Sequence, residues 1–142
     1  MTERHLIFHN DIQQIPQLAC FVEAIAEEAN LDQSLAMGLN LALEEAVTNV
    51  IMYAYPAGSD GLVDVEAVIH ADALEFILSD SGTPFDPTAA GEADITLSAE
   101  DRPIGGLGIF LVRNIMDEVS YRRENGKNIL TMRKFLNNNK TE

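Results

Sequence analysis

The sequence predicts an α+β fold, a two-layer α/β sandwich in which a mixed, mainly antiparallel sheet carries helices on one face. Two observations point there. Runs with apolar residues at every second position come in adjacent pairs joined by turn residues, as antiparallel hairpins do. Runs with helical spacing separate those pairs, so that the order is strand, two helices, hairpin, loop, helix, hairpin. The 142 residues suit one domain over 1–136, with a frayed tail, NNNKTE, over 137–142.

His5 to Phe8 alternates and reads as an edge strand. From Ile15 to Ala29, Leu18, Phe21, Val22, Ile25, Ala26 and Ala29 recur at helical spacing, and Asn30 reads as the stop. Asp32 is placed as the N-cap of a second helix running to about Tyr55, with Leu39, Leu43, Val47, Val50 and Ala54 as its core stripe. Pro56, Gly58 and Gly61 end it.

Leu62 to Ile69 then alternates, with Val63, Val65, Ala67 and Ile69 on one face and Asp64 and Glu66 on the other. Leu74 to Ser79 returns, with Ala71-Asp72-Ala73 as the turn between them. Pro84 to Pro103 shows no period, and a loop that long in a compact domain is a lid, a binding loop or disorder. Ile109, Leu111, Val112, Ile115 and Met116 mark a third helix ending near Asp117. Val119, Tyr121 and Arg123 alternate, Asn125-Gly126 signals a tight hairpin, and Ile129 to Phe135 makes the return strand.

Composition narrows the function classes. Twenty-three acidic residues against nine basic ones leave a net charge of −14, which repels a phosphate backbone, so no direct nucleic-acid binding is expected. The same charge suits a basic protein partner, or solubility alone. The single cysteine, Cys20, excludes an internal disulfide framework. No stretch is expected to span a membrane, and a cytoplasmic location is expected.

Three stretches could carry chemistry. In LEEAVTNVIMYAY, Glu45 and Asn49 lie four apart, about 40° from each other on a helix and away from its core stripe. A carboxamide oxygen there could serve Mg²⁺ and the carboxylate could take a proton from a reacting hydroxyl. A solvated helix face would look the same. In LSDSGTPFDP, Asp80 closes an apolar strand and could accept a hydrogen bond from an exocyclic amine such as adenine N6, with Gly82 letting a base lie against the backbone. A common surface turn is the other reading. In RPIGGLGIFLVRNIM, glycines precede a helix, whose free N–H groups and dipole suit phosphate, or else form a hinge. Neither a Walker loop nor a dinucleotide fingerprint fits the spacing.

In this order the three stretches resemble the boxes of the Bergerat-fold ATP-binding domain, shared by gyrase-type topoisomerases, heat-shock ninety chaperones, histidine kinases and MutL-type repair proteins. The chain is most similar to the anti-sigma-factor serine/threonine kinases. EEAVTNVIMYAYP resembles their N box, DSGTPFDP their first glycine box and RPIGGLGIFLVRNIMDEVSYRR their second, over roughly Gln13 to Phe135.

The resemblance implies an ATP- and Mg²⁺-dependent protein serine/threonine kinase. Glu45 would be the general base, Asn49 the Mg²⁺ ligand, Asp80 the adenine acceptor and Gly82 part of the base pocket. Gly105, Gly106, Leu107 and Gly108 would bind the phosphates, with Phe85 to Ile104 as the ATP lid and Arg102 on the γ-phosphate. Thr131 on the last strand would reach adenine through water; Lys127-Asn128-Ile129-Leu130 stands where the family has Gly-Thr-Thr. Members of the group form homodimers, hold a sigma factor and phosphorylate a STAS-domain anti-anti-sigma protein. A non-catalytic, nucleotide-gated binding module or a slow ATPase would use the same pocket.

Overall fold

A computed structural model of the chain describes residues 1–56, 58–90 and 106–136. Strand β1 spans Thr2–His9. Asp11 starts a short 3-10 turn by accepting from the Gln13 N–H. Helix α1 follows over Ile15–Glu28 with a proline in its first turn, where the missing N–H has no intrahelical partner to lose. It stops at Asn30, which takes the left-handed conformation (φ 58°) that asparagine tolerates better than most residues.

Helix α2 spans Gln33–Asn49, capped by Asp32, whose carboxylate accepts from the Leu35 N–H at 2.8 Å. Beyond Asn49 the helix does not continue to Tyr55 as expected: Val50–Ala54 widens into one π-helical turn. Two strands come next, β2 over Leu62–Ile69 and β3 over Ala73–Asp80. A second 3-10 turn covers Pro87–Ala90 inside the stretch expected to lack structure. Helix α3 spans Gly106–Ile115, then β4 spans Glu118–Glu124 and β5 Lys127–Phe135. Asn125 and Gly126 join the last two strands with consecutive positive φ values of 54° and 77°, the turn that matches the twist of a hairpin.

The strands form one sheet in the order β1-β2-β3-β5-β4. Every pairing is antiparallel, so the sheet is not mixed. Alternation decides which residues enter the core: Val63, Val65 and Ala67 of β2, Leu74, Phe76 and Leu78 of β3, and Leu130 and Met132 of β5 are buried together. The helices supply Leu18, Val22 and Ile25 from α1, Leu39, Leu43 and Val47 from α2, and Ile109 and Val112 from α3. Helix α2 is central, packing on both α1 and α3.

The 22-residue stretch Gln33–Ala54, whose most apolar 18-residue window has a mean hydropathy of 1.2, does reach membrane-spanning length, contrary to expectation. Its apolar residues are spread over a stripe instead of forming one run. That stripe, Leu39, Leu43, Val47, Val50 and Ala54, is buried in the same cluster as Val65 and Phe76.

Leu43 has no solvent exposure. Leu43→Ala is expected to lower the unfolding free energy by about 3 kcal/mol, read from urea denaturation. A loss below about 1 kcal/mol would contradict the packing of α2 into the core.

Candidate functional site

A narrow cleft, with free space for about one water molecule, lies where the end of β3 meets α2 and α3. Asn49 and Val50 line one side, Ile109 and Val112 the other, and Asp80 and Asn128 stand among them. Among the described residues, the only buried polar or charged side chains are Asn49, Asp80 and Asn128, and all three line this cleft. Burying polar groups is unfavourable unless they are bonded, so their concentration at one place needs a local cause.

Asp80 and Asn128 face each other as register partners on β3 and β5. Asp80 Oδ1 accepts from the Gly82 N–H at 2.8 Å and from Asn128 Nδ2 at 2.9 Å. No described residue bonds Oδ2. Burial pushes the Asp80 carboxyl above its usual range, against the pull of the Asn128 and Gly82 hydrogen bonds and the Arg123 charge. Asn128 Nδ2 also donates to the Thr83 carbonyl at 2.8 Å. Its Oδ1 accepts from the Phe85 N–H at 3.0 Å, the Tyr121 hydroxyl at 2.6 Å and Arg123 Nη1 at 3.1 Å.

The turn after Asp80 is clamped from the helix side. The Thr83 N–H and hydroxyl both donate to the Ala54 carbonyl, at 2.7 and 3.0 Å. Ala54 ends the π-helical turn, where a carbonyl without an intrahelical donor is free to accept. A Cβ on Gly82 would overlap that same carbonyl, so only glycine fits this approach. Tyr55 completes the clamp: its hydroxyl donates to the Leu62 carbonyl at 2.7 Å and accepts from the Ser81 N–H at 3.0 Å. Arg123 Nη1 donates to the Gly82 carbonyl at 2.9 Å.

Asn49 is the last residue of α2, and no described residue bonds its carboxamide. Glu45 lies one turn earlier, half-buried, and is not among the residues lining the cleft. Gly106, Leu107 and Gly108 form the first turn of α3, whose N–H groups lack intrahelical acceptors. Arg102, Gly105 and most of the expected lid lie outside the described residues.

Thr131 does not join the cleft. It pairs with Ile77 and Ser120. Asn128, Leu130 and Met132 are the residues of β5 that turn toward the helices, so strand alternation puts Thr131 on the opposite face. The polar residue that does meet Asp80 from β5 is Asn128, which the sequence reading passed over. Its signal was there: Asn128 is in phase with Leu130 and Met132, and so belongs to the buried face.

A one-faced antiparallel sandwich, with a buried carboxylate at a strand end and a glycine-led helix beside it, defines a nucleotide-binding domain as the class. More narrowly, the chain belongs to the histidine kinase-like ATPase domain family, whose model matches residues 8–134. It is similar to the serine-protein kinase RsbW of Listeria monocytogenes, 34% identical over 125 residues that cover 85% of this chain and 79% of the relative. The serine-protein kinases RsbW of Bacillus pumilus (34% over 110 residues, 73% and 67% covered) and Halalkalibacterium halodurans (35% over 102 residues, 69% and 61% covered) are similar too.

The residues fit the nucleotide that this family implies. Asp80 keeps one acceptor oxygen unbonded by the described residues, and Gly82 leaves the backbone bare beside it. The Asn49 carboxamide offers an oxygen of the kind Mg²⁺ prefers.

A carboxyl with a raised folded-state value is penalised when ionised. That penalty is absent below the unfolded value of 3.8, grows as pH rises toward the folded value and is constant above it. Asp80→Asn keeps an acceptor for Gly82 and Asn128 without the charge. The variant is expected to have a higher urea midpoint than the parent at neutral pH, with the gap closing as pH falls toward 3.8. A variant less stable at neutral pH would show that the charge stabilises the fold.

Proposed function

We propose that the protein is an ATP-dependent protein serine/threonine kinase acting as an anti-sigma regulator. The observation that carries this reading is the gathering of Asn49, Asp80 and Asn128, the buried polar side chains of the described chain, on one cleft. The family match and the names of the similar kinases support it. Adenine would donate its amino group to Asp80 and lie against the Gly82 turn. The phosphates would meet the backbone of Gly105 to Gly108 and the start of α3, with Arg102 on the γ-phosphate.

Asn49 would hold Mg²⁺, and the chemistry that ion would supply is positive charge against the charge developing on the transferred group. In the transfer itself, the acceptor hydroxyl oxygen bonds to the γ-phosphorus and the bond to the β-phosphate bridging oxygen breaks. The hydroxyl proton passes to the Glu45 carboxylate and ADP leaves. Positioning and charge stabilisation supply most of the rate in such reactions. The acceptor is a serine or threonine of a STAS-domain anti-anti-sigma protein, and phosphorylating it leaves the kinase free to hold its sigma factor. The working form is a cytoplasmic homodimer, and the acidic surface suits a basic segment of the sigma factor.

One observation favours a second reading, a nucleotide-gated binding module without transfer: Glu45 does not line the cleft. Phosphotransfer from γ-labelled ATP to a STAS-domain substrate separates the two. Glu45→Gln is expected to slow transfer by about 10²-fold or more, with ATP affinity changed less than about threefold. Transfer by that variant at the parent rate would remove Glu45 as the base. A parent protein that binds ATP but transfers nothing would favour the binding module.

A further inference from the structure

The carboxamide of Asn128 has one orientation open to it. Three donors converge on its Oδ1: the Phe85 N–H at 3.0 Å, the Tyr121 hydroxyl at 2.6 Å and Arg123 Nη1 at 3.1 Å. Turning the group over would set its NH₂ against those donors and its oxygen against the Asp80 carboxylate. Asn128 therefore offers Asp80 a donor and nothing else. That donor reaches Asp80 Oδ1, the same oxygen that takes the Gly82 N–H, so both fixed hydrogen bonds fall on one side of the carboxylate.

We infer that Asn128 is a positioning residue that sets the base preference of the cleft: it fixes Asp80 so that Oδ2, an acceptor only, meets the base, admitting a 6-amino purine and refusing a 6-oxo purine. The inference rests on the nucleotide reading proposed above and deepens it. A 6-amino group donates to Oδ2. A 6-oxo group in the same pose sets its lone pairs against that oxygen, in a place where most water is excluded and neither acceptor finds a donor. The donors that could have met a 6-oxo group, the Gly82 N–H and Asn128 Nδ2, are already spent on Oδ1.

The same geometry makes an unusual demand of Asp80→Asn. The Gly82 N–H and Asn128 Nδ2 both require an acceptor, so the new carboxamide must place its oxygen where Oδ1 was. Its NH₂ then takes the position of Oδ2, and the wall facing the base changes from acceptor to donor. The base preference should turn over with it.

Affinities of the full chain for ATP and ITP, which differ at the purine 6-position, test this by calorimetry. The parent is expected to favour ATP by about 10²-fold. Asp80→Asn is expected to favour ITP. Asn128→Ala releases the carboxylate to rotate, and the ATP:ITP ratio should fall by about tenfold or more. A residue needed only for folding would weaken both nucleotides alike and leave the ratio alone. Should Asp80→Asn not fold, the Asn128→Ala ratio decides. An unchanged ratio in the variants, an Asp80→Asn protein that still prefers ATP or binds neither nucleotide, or a parent indifferent to the base would each overturn the inference. In all of these the parent still binds ATP, and the nucleotide reading stands; a parent that binds neither nucleotide removes both.

Discussion

Everything around the cleft answers to one ionisable group enclosed at the end of a strand. The Asp80 carboxylate is buried at the inner end of β3, where the fold gives it two hydrogen-bond donors and a cation nearby. Its own turn supplies the Gly82 N–H, the neighbouring strand supplies Asn128, and Arg123 of β4 stands behind Asn128. These contacts do not fully offset the cost of burial, since the carboxyl remains above its ordinary range. A site that is unfavourable by itself and becomes favourable with a ligand is a common form of stability traded for function.

The strand order explains how so few residues build the site. Placing β5 between β3 and β4 brings Asn128 directly opposite Asp80, and Tyr121 and Arg123 of β4 within reach of the same carboxamide. On the other side, the π-helical turn after Asn49 delivers the Ala54 carbonyl to Thr83 and the Tyr55 hydroxyl to Ser81. A regular helix would carry those groups to different heights and angles, and π-helical turns recur at functional sites for this kind of reason. The loop from Ser81 to Phe85 is thereby held from both layers before any ligand arrives, which is the sense in which the pocket is preorganised.

Much of this was legible in the sequence because the controlling signals are local. Asp32 as a cap, Asn30 as a stop and Asn125-Gly126 as a tight turn each follow from one or two residues, and all three appear in the structure. Alternation placed the buried faces of β2 and β3, and with them Asp80 at a strand end. The π-helical turn was not legible, because Val50 and Ala54 keep their places on the apolar stripe whether the turn is wide or regular. Asn128 was missed for a related reason. An asparagine just after Asn-Gly reads as part of a turn, and only its phase with Leu130 and Met132 reveals that it points inward. The role expected of Thr131 rests on resemblance to a last-strand hydroxyl of the family, while its phase puts it on the outer face.

The central claim is that the cleft binds ATP with Mg²⁺ through Asn49. Calorimetric titration of the protein with ATP and ADP, with and without Mg²⁺ and repeated on Asn49→Ala, tests it most directly. Binding that strengthens with Mg²⁺ in the parent, and loses that dependence in Asn49→Ala, is the result predicted. No binding under any of these conditions, or a Mg²⁺ dependence untouched by the substitution, would contradict it.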